Sequence, residues 1–164
     1  MKKYKHALVI GKFMNPHIGH GALIEYACSL AEATTVLVCA TPTDRVSPLL
    51  RMGWISETFE GLATVDILNY LDEGLEGGEE SDEGISAAWA TWVNDRHSTV
   101  DVLVGSEDYV KYMADSSGGS FSAEIFDQDR VAFPCSSTGV NGGATDFYLP
   151  VCKRDILGVS IDNN

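Results

Sequence analysis

The stretch His6–Ala31, with the sequence HALVIGKFMNPHIGHGALIEYACSLA, decides the fold. Its first part, His6–Phe13, is a short apolar run typical of a buried strand. A turn follows, and from Gly19 to Ala31 the apolar residues recur at helical spacing, with one face formed by Leu23, Ala27 and Leu30. The stretch therefore predicts a buried strand that leads through a short turn into a helix.

The rest of the chain repeats this alternation of strand-like and helix-like segments. Further strands are predicted at Thr34–Ala40, Thr64–Leu71, Val100–Gly105 and Ala123–Phe126, helices at Pro48–Phe59, Ile85–Asp95 and Tyr109–Asp115, and a turn or helix at each of Thr145–Leu149 and Lys153–Val159. Near-continuous apolar strands separated by helices predict a doubly wound, Rossmann-like α/β fold, with a parallel sheet and helices on both faces. The length of 164 residues and the lack of a repeat or linker predict a single domain over residues 1–164. Ligands of such folds bind beyond the carboxyl ends of the strands.

The charge of the chain excludes two classes of partner. The formal net charge is -13, from 11 Lys+Arg against 24 Asp+Glu. Nonspecific nucleic-acid binding needs clustered basic residues, and so does docking on an anionic membrane. Seven of the acids and no base lie in Asp72–Gly84, which is interpreted as a solvated surface loop away from any phosphate site.

No segment of the sequence indicates secretion or a membrane span. No apolar run reaches the ~20 residues of a transmembrane helix, and the short apolar run after Met1–Lys5 is not expected to act as a signal peptide. The four cysteines show neither a CxxC pair nor the spacing of a zinc site. We expect a reduced, cytoplasmic protein.

The turn after the first strand carries two histidines and a lysine, at Lys12, His17 and His20. It matches neither a GxGxxG motif nor a Walker P-loop. The free N–H groups of a helix start attract phosphate, and Gly19 permits a close backbone approach. Histidines three residues apart can face one anion, and with an ordinary pKa of roughly 6.5 either can be held protonated by a polyphosphate. The turn therefore predicts a phosphate site.

The segment GKFMNPHIGH resembles the HxGH signature of the nucleotidyltransferase superfamily, whose members transfer a nucleotidyl group from a nucleoside triphosphate. With the helix that follows, it looks most like the nicotinamide mononucleotide (NMN) adenylyltransferases, and among them like the adenylyltransferase domain of the bifunctional bacterial NAD regulator. The resemblance implies that His17, His20 and Lys12 are catalytic and contact phosphates. It also implies ATP-binding roles for Gly11, Phe13 and Gly19, and a nucleotide-substrate role for Asn15.

Two helices resemble the family's substrate-binding helices. Asp44–Arg51 leads into a helix with Trp54, similar to the family's R-x-x-W helix, which implies that Arg51 binds the nucleotide substrate. The sequence AWATW resembles the aromatic helix beside the nicotinamide pocket, and its Trp89 and Trp92 share a helix face. We expect at least one of them to pack in the core and the other to stack on the cationic nicotinamide, with Trp92 slightly favoured for stacking.

Two loops complete the resemblance. Val104–Tyr109 resembles the turn beside the adenosine, which implies that Ser106 and Glu107 bind ATP. Phe133–Thr138 resembles the family's I-S-x-T-x-x-R motif, in which Ser136, Ser137 and Thr138 would hold the ATP phosphates. The preceding D-x-x-R match implies a substrate-binding Arg130.

One position departs from the family pattern, because the closing arginine of the second motif falls on Asn141. A neutral asparagine cannot replace a guanidinium that binds phosphate through two hydrogen bonds. Three other basic residues are candidates to substitute for it in space, namely Arg130, Lys153 and Arg154.

The resemblance implies an adenylyltransferase that makes NAD and pyrophosphate from ATP and NMN, with Mg²⁺ carried by ATP and no metal site of the protein's own. Two other interpretations stay open. One is a different HxGH enzyme, such as a pantetheine-phosphate adenylyltransferase or a small cytidylyltransferase. The other, motivated by Asn141, is a nucleotide-binding sensor with little catalysis. The choice between nicotinamide and nicotinate mononucleotide stays open, as does assembly into a homo-oligomer.

Overall fold

A five-stranded parallel sheet forms the centre of the protein, with the strand order β3-β2-β1-β4-β5. The structure is a computed structural model and describes residues 1–70, 73–75, 83–127 and 147–158. The strands are β1 (Tyr4–Gly11), β2 (Ala31–Ala40), β3 (Thr64–Asn69), β4 (Val102–Gly105) and β5 (Ser122–Ile125). The helices are α1 (Ile18–Leu30), α2 (Pro48–Thr58), α3 (Glu83–Arg96), α4 (Tyr109–Asp115) and α5 (Pro150–Leu157). The predicted doubly wound α/β fold is confirmed.

The strand order places a crevice at the end of β1. The chain moves outward from β1 through β2 to β3, and then returns to the other side of β1, where β4 pairs with it through Ala7↔Val102 and Leu8↔Leu103. A reversal of this kind opens a crevice beyond the carboxyl ends of the two strands that flank it. Everything that follows β1 and β4 in the chain is therefore brought together at one edge.

Both faces of the sheet are buried, which explains the near-continuous apolar strands. Along β2, Val36 and Val38 belong to one core layer, which includes residues of α1, α2 and α5. Leu37 and Cys39 belong to the other layer, which includes residues of α3 and α4. Each fully buried Val or Leu contributes roughly 1.5–3 kcal/mol, so the two layers together hold the central strands firmly.

Element boundaries differ from the predicted ones where the connections are short. β2 begins at Ala31, directly after the last residue of α1, because Ala31 is already extended (φ -128°, ψ 152°). β3 ends at Asn69, and the last predicted residue of that strand lies outside the described residues. α5 begins at Pro150, three residues before the predicted start, because proline suits the first turn of a helix.

The acidic stretch is described only in part, since residue 72 and residues 76–82 lie outside the described ranges. At its start, an oxygen of the Glu73 carboxylate lies 3.1 Å from the Arg96 guanidinium in an exposed ion pair. The surface-loop interpretation of the whole stretch stays a prediction. Within the described ranges, none of the helices has the length and apolar character needed to cross a membrane.

Candidate active site

A pocket of about 180 Å³ lies at the carboxyl ends of β1 and β4, at the reversal of strand order. It is lined by Ile10, Gly11, Lys12, Phe13, His17, His20, Leu23, Ser106, Glu107 and Tyr109. A smaller adjoining pocket is lined in part by Gly19 and Asp127. The fold therefore brings together the predicted residues of the first motif and those of the turn after β4.

His17 begins α1 and is 2% exposed. Its Nδ1 accepts hydrogen bonds from the backbone N–H groups of Gly19 (3.1 Å) and His20 (3.3 Å). Because Nδ1 accepts, the proton of the neutral ring lies on Nε2, which makes Nε2–H a donor. His17 thus caps the helix and lines the pocket, with its second ring nitrogen in the donor form.

His20 returns the contact to His17. Its Nδ1 accepts a hydrogen bond from the backbone N–H of His17 (3.3 Å), and the two rings stack with centroids 3.7 Å apart and planes at 15°. The edge of the Phe13 ring meets His20 at 4.9 Å between centroids. The three-residue spacing thus builds a reciprocal helix cap as well as a paired site, a role that the sequence analysis did not anticipate. Two imidazolium charges at this distance would repel each other, and a bound anion would offset that repulsion.

The strand ends are tied together by an aromatic residue that the sequence analysis did not single out as a site residue. The Tyr109 hydroxyl donates a hydrogen bond of 3.1 Å to the carbonyl of Ile10. Gly105 makes this approach feasible, because a Cβ at that position would lie 2.8 Å from Val110 Cγ1 and 3.0 Å from the Tyr109 hydroxyl. The available signal was the glycine at the strand end followed closely by a tyrosine.

Phe13 lies in the turn between β1 and α1. It is 1% exposed and has a φ of +52°. Its ring covers Gly11, where a Cβ would lie 3.0 Å from the nearest ring atom. Most of its surface therefore packs in the core layer of α1 and α2. Its contribution to the pocket is to hold the loop and the His20 ring in place.

Lys12 is exposed at the rim of the pocket. Its Nζ lies 5.5 Å from the centroid of the Tyr70 ring, just beyond the end of β3. Since β2 lies between β1 and β3, the lysine side chain reaches across the end of β2. A cation over an aromatic face is weakly held, so Lys12 can turn toward a ligand in the pocket at little cost.

Arg51 does not line the pocket and has no exposed surface. Its Nη1 donates hydrogen bonds to the carbonyls of Lys12 (2.6 Å) and Cys39 (3.1 Å), and its Nη2 donates one to Asp44 Oδ2 (2.7 Å). The substrate-binding role inferred from the family pattern stays a prediction. The three hydrogen bonds described here join Arg51 to two backbone carbonyls and one carboxylate.

Asp44 is the carboxylate that faces Arg51. It accepts hydrogen bonds from the Thr41 N–H (2.8 Å) and the Thr41 hydroxyl (2.8 Å) as well as from Arg51. Burial alone would raise the pKa of Asp44, but these hydrogen bonds outweigh it and hold that pKa below its usual value. Asp44 is therefore a charged, fully engaged partner of the guanidinium at neutral pH.

The two tryptophans of α3 differ in burial. Trp92 is 9% exposed and belongs to the core layer of α3 and α4, with the His97 ring 5.5 Å away and the Arg96 guanidinium 5.8 Å away. Trp89 is half-buried and meets Trp92 edge to face at 6.3 Å. The burial makes Trp92 the core residue of the pair, and the stacking of either tryptophan on the nicotinamide, with the slight preference for Trp92, stays a prediction. Trp89 is the one with surface to offer a ligand.

The C-terminal segment packs against the first motif. The Asn15 Nδ2 donates to the Tyr148 hydroxyl (3.0 Å), and the Leu149 N–H donates to the Pro16 carbonyl (3.0 Å). Asn15 is 8% exposed, so its side chain holds the loop in place in this structure. Its predicted contact with the nucleotide substrate stays a prediction.

The second motif lies outside the described residues. This applies to Ser136, Ser137, Thr138, Arg130 and Asn141, whose assigned roles stay predictions. Of the suggested substitutes for the missing arginine, Arg154 is held by Glu57 at 2.7 and 2.9 Å and by Asp155 at 2.8 Å. Lys153 is half-buried on the same helix. Among the described ranges, there is no group of three or more His, Cys, Asp or Glu side chains that could hold a metal ion.

Several solved structures are similar to this chain in fold. A NadR protein in complex with NAD and AMP-PNP is similar with a TM-score of 0.64 and 20% sequence identity, over 94% of this chain and 47% of that one. A NadR protein in complex with NR is similar with a TM-score of 0.62 and 18% identity, over 93% of this chain and 46% of that one. A bifunctional NMN adenylyltransferase/ADP ribose pyrophosphatase from Francisella tularensis, complexed with AMP and a Mn ion, has a TM-score of 0.50 and 15% identity, over 76% of this chain and 37% of that one.

These similarities concern the fold. The chain spans about half the length of the NadR chains that it matches. No protein-family model matches the chain, and no curated protein matches it. The chain therefore has the doubly wound α/β fold that these NadR and NMN adenylyltransferase structures share, as the sequence resemblance to the nucleotidyltransferases implied.

Proposed function

We propose that the protein is an adenylyltransferase that transfers AMP from ATP to NMN, giving NAD and pyrophosphate. The observation that carries this proposal is the stacked pair His17 and His20 at the start of α1, in a pocket at the reversal of strand order. The fold similarity to NadR structures bound to NAD, AMP-PNP and NR supports the choice of nucleotides.

The pocket concentrates hydrogen-bond donors although the chain as a whole is acidic. The described lining combines Lys12 and the two histidines with a single carboxylate, that of Glu107. The start of α1 adds its backbone dipole, whose positive end points toward the pocket. A chain of net charge -13 repels ATP at long range, so this local concentration of donors is what makes a polyphosphate the best match for the site.

The reaction needs no general base from the protein. An oxygen of the NMN phosphate bonds to the α-phosphorus of ATP, and the bond from that phosphorus to the oxygen bridging to the β-phosphate breaks. Pyrophosphate leaves with the electron pair. The attacking phosphate is already ionised at neutral pH, so catalysis consists of positioning and charge stabilisation.

Each residue of the first motif has a part in that stabilisation. The Nε2–H of His17 and the ring of His20 would donate to phosphate oxygens, because Nδ1 of each ring accepts a hydrogen bond from the helix start. Lys12 at the rim would neutralise charge that moves onto the leaving pyrophosphate. The positive end of the α1 dipole would stabilise the charge on the same oxygens.

The residues present fit a magnesium ion that arrives with ATP. The described pocket offers donors for phosphate and one carboxylate, Glu107, whereas Mg²⁺ in such sites keeps several waters and takes few protein ligands. When bound, the ion would screen the charge of the triphosphate. Glu107 would then hold it through a direct or water-bridged contact.

A substrate panel tests the proposal. Pyrophosphate release is measured with ATP or CTP against NMN, nicotinate mononucleotide and phosphopantetheine, each at several concentrations. We expect turnover with ATP and NMN, and kcat/KM at least about tenfold lower for every other pair. Higher turnover with phosphopantetheine or with CTP would assign the protein to another HxGH activity. Nucleotide binding by calorimetry without pyrophosphate release in any pair would make it a sensor.

A further inference from the structure

We infer that Arg51 is a positioning residue, which sets the place of Lys12 at the rim of the pocket by holding the backbone beneath it. Arg51 acts through the protein and not on the substrate. The effect on turnover rests on the proposed function, whereas the effect on the backbone does not.

The guanidinium of Arg51 joins three separate segments. Its acceptors are the carbonyl of Lys12 just after β1, the carbonyl of Cys39 near the end of β2, and the carboxylate of Asp44 in the turn before α2. With no exposed surface, the side chain cannot reach a ligand in the structure as it stands. It is thus a cross-link between the carboxyl ends of two neighbouring strands.

The Arg51 cross-link bears directly on the pocket. The residue whose carbonyl it holds at 2.6 Å is Lys12, which lies at the rim of the pocket. Fixing the carbonyl of a residue limits the rotation of its peptide unit, and so limits where its side chain can point. A displacement of about 1 Å at a catalytic group can cost on the order of 100-fold in rate.

Asp44 completes the cross-link by orienting the guanidinium. Its side chain is 4% exposed and is itself fixed by the backbone N–H and the hydroxyl of Thr41. A lysine at position 51 could not serve the three acceptors at once, because an ammonium lacks the planar fork of a guanidinium. Either a lysine at position 51 or a neutral group at position 44 should therefore loosen the turn between β1 and α1 while the protein still folds.

The rival role for Arg51 is a direct contact with the substrate phosphate after a rearrangement. The two roles make opposite predictions for Asp44→Asn. If Arg51 binds phosphate, the loss of a competing carboxylate frees the guanidinium and leaves anion binding equal or tighter. If Arg51 positions Lys12, the same change loosens the cross-link and lowers the rate.

The test compares Arg51→Lys and Asp44→Asn with the wild type and with Glu57→Gln. The control Glu57 lies on the same helix and also pairs with an arginine, Arg154, but in an exposed ion pair that does not line the pocket. Backbone hydrogen exchange is followed over residues 11–20, and kcat and KM are measured for ATP and NMN. Circular dichroism and thermal unfolding establish that each variant is folded.

We expect faster exchange over residues 11–20 in Arg51→Lys and Asp44→Asn, and no change in Glu57→Gln. We expect kcat to fall about 10- to 100-fold in the first two variants, with KM for NMN changed much less. Wild-type exchange in folded Arg51→Lys or Asp44→Asn would overturn the inference. So would a raised KM for NMN in Arg51→Lys with kcat unchanged, or tighter NMN binding in Asp44→Asn.

Two failures stay distinguishable in this design. If Arg51→Lys does not fold, Asp44→Asn alone decides, because it keeps the arginine. If the wild type releases no pyrophosphate with any substrate pair, the proposed function fails, and the exchange measurement still supports or overturns the positioning role.

Discussion

Histidines occur in pairs at both ends of the sheet, and the two pairs are held in different ways. At the amino end, His6 has both ring nitrogens bonded to threonine hydroxyls, with Nδ1 at 2.7 Å from Thr99 Oγ1 and Nε2 at 2.8 Å from Thr35 Oγ1. Its neighbour His97 lies at an ion-pair distance of 3.5 Å from Asp66. At the carboxyl end, the backbone at the start of α1 donates hydrogen bonds to Nδ1 of His17 and to Nδ1 of His20.

The difference indicates which arrangement of a histidine pair suits it to donate hydrogen bonds to a substrate. Side-chain hydroxyls that engage both nitrogens of a ring turn it into a structural cross-link. A helix start that engages one nitrogen instead fixes the tautomer and the orientation of the ring, and directs the donor role to the other nitrogen. The two ends also differ in the size of their cavities. The groove that includes His6 has a volume of about 600 Å³, and the pocket of His17 and His20 has a volume of about 180 Å³.

The largest expected effect comes from a substitution in the histidine pair at the carboxyl end of the sheet. His20→Ala removes a ring that lines the pocket, and we expect turnover with ATP and NMN to fall by about 100-fold or more, as for the loss of a charge-stabilising donor. The matched change His6→Ala removes the amino-end ring and should leave kcat of the folded protein within about twofold, since His6 lies at the other end of the sheet. Steady-state pyrophosphate release measures both. Equal losses in the two variants, or wild-type turnover in His20→Ala, would contradict the assignment of the site.

Two substitutions of His17 distinguish its role as a helix cap from its proposed role in the reaction. Asparagine is a good N-cap residue, whereas alanine is not. We expect His17→Asn to keep the free energy of unfolding within about 0.5 kcal/mol of the wild type, and His17→Ala to lose about 1–2 kcal/mol through the missing cap. Both should lose turnover to a similar extent, because neither has an Nε2–H donor.

Urea unfolding followed by fluorescence gives the stabilities of the His17 variants, and pyrophosphate release gives their rates. If His17→Asn retained wild-type turnover, the histidine would be only a cap, and the two ends of the sheet would not differ in the way described.

The carboxyl end also depends on close packing, which Gly105→Ala would disturb. The added Cβ would meet Val110 Cγ1 at 2.8 Å and the Tyr109 hydroxyl at 3.0 Å, and overpacking of this kind costs about 1–3 kcal/mol. Gly53→Ala is the matched control, because Gly53 lies inside α2 with nothing within 4 Å of its Cβ position. We expect that control to gain about 0.5–1 kcal/mol from helix propensity. Thermal unfolding measures both changes, and a stable Gly105→Ala would mean that the strand ends are less tightly joined than the contacts indicate.

Local patterns in the sequence predicted the elements well and the long-range contacts poorly. The strand, turn and helix over His6–Ala31 could be predicted, because apolar periodicity and a helix start are local signals. The role of Arg51 could not, because its three acceptors lie 39, 12 and 7 residues away and meet only in the folded sheet. The same holds for Trp92: the helical spacing shows that it shares a face with Trp89, but only the sheet decides which of the two is buried.

The smallest expected effect concerns the pH dependence that His6 gives to stability. Burial lowers the pKa of His6, the nearby His97 lowers it further, and Asp101 raises it by less. The unfolded chain therefore binds the proton of His6 more tightly than the folded protein does, and the contribution of His6 to stability is lost as the pH falls from about 6.5 through the lower, folded-state pKa. We expect the midpoint of thermal unfolding to fall more steeply between pH 7.5 and 5 in the wild type than in His6→Gln, by a few degrees at most. Parallel slopes in the two proteins would show that His6 titrates alike in both states and that its burial does not lower its pKa.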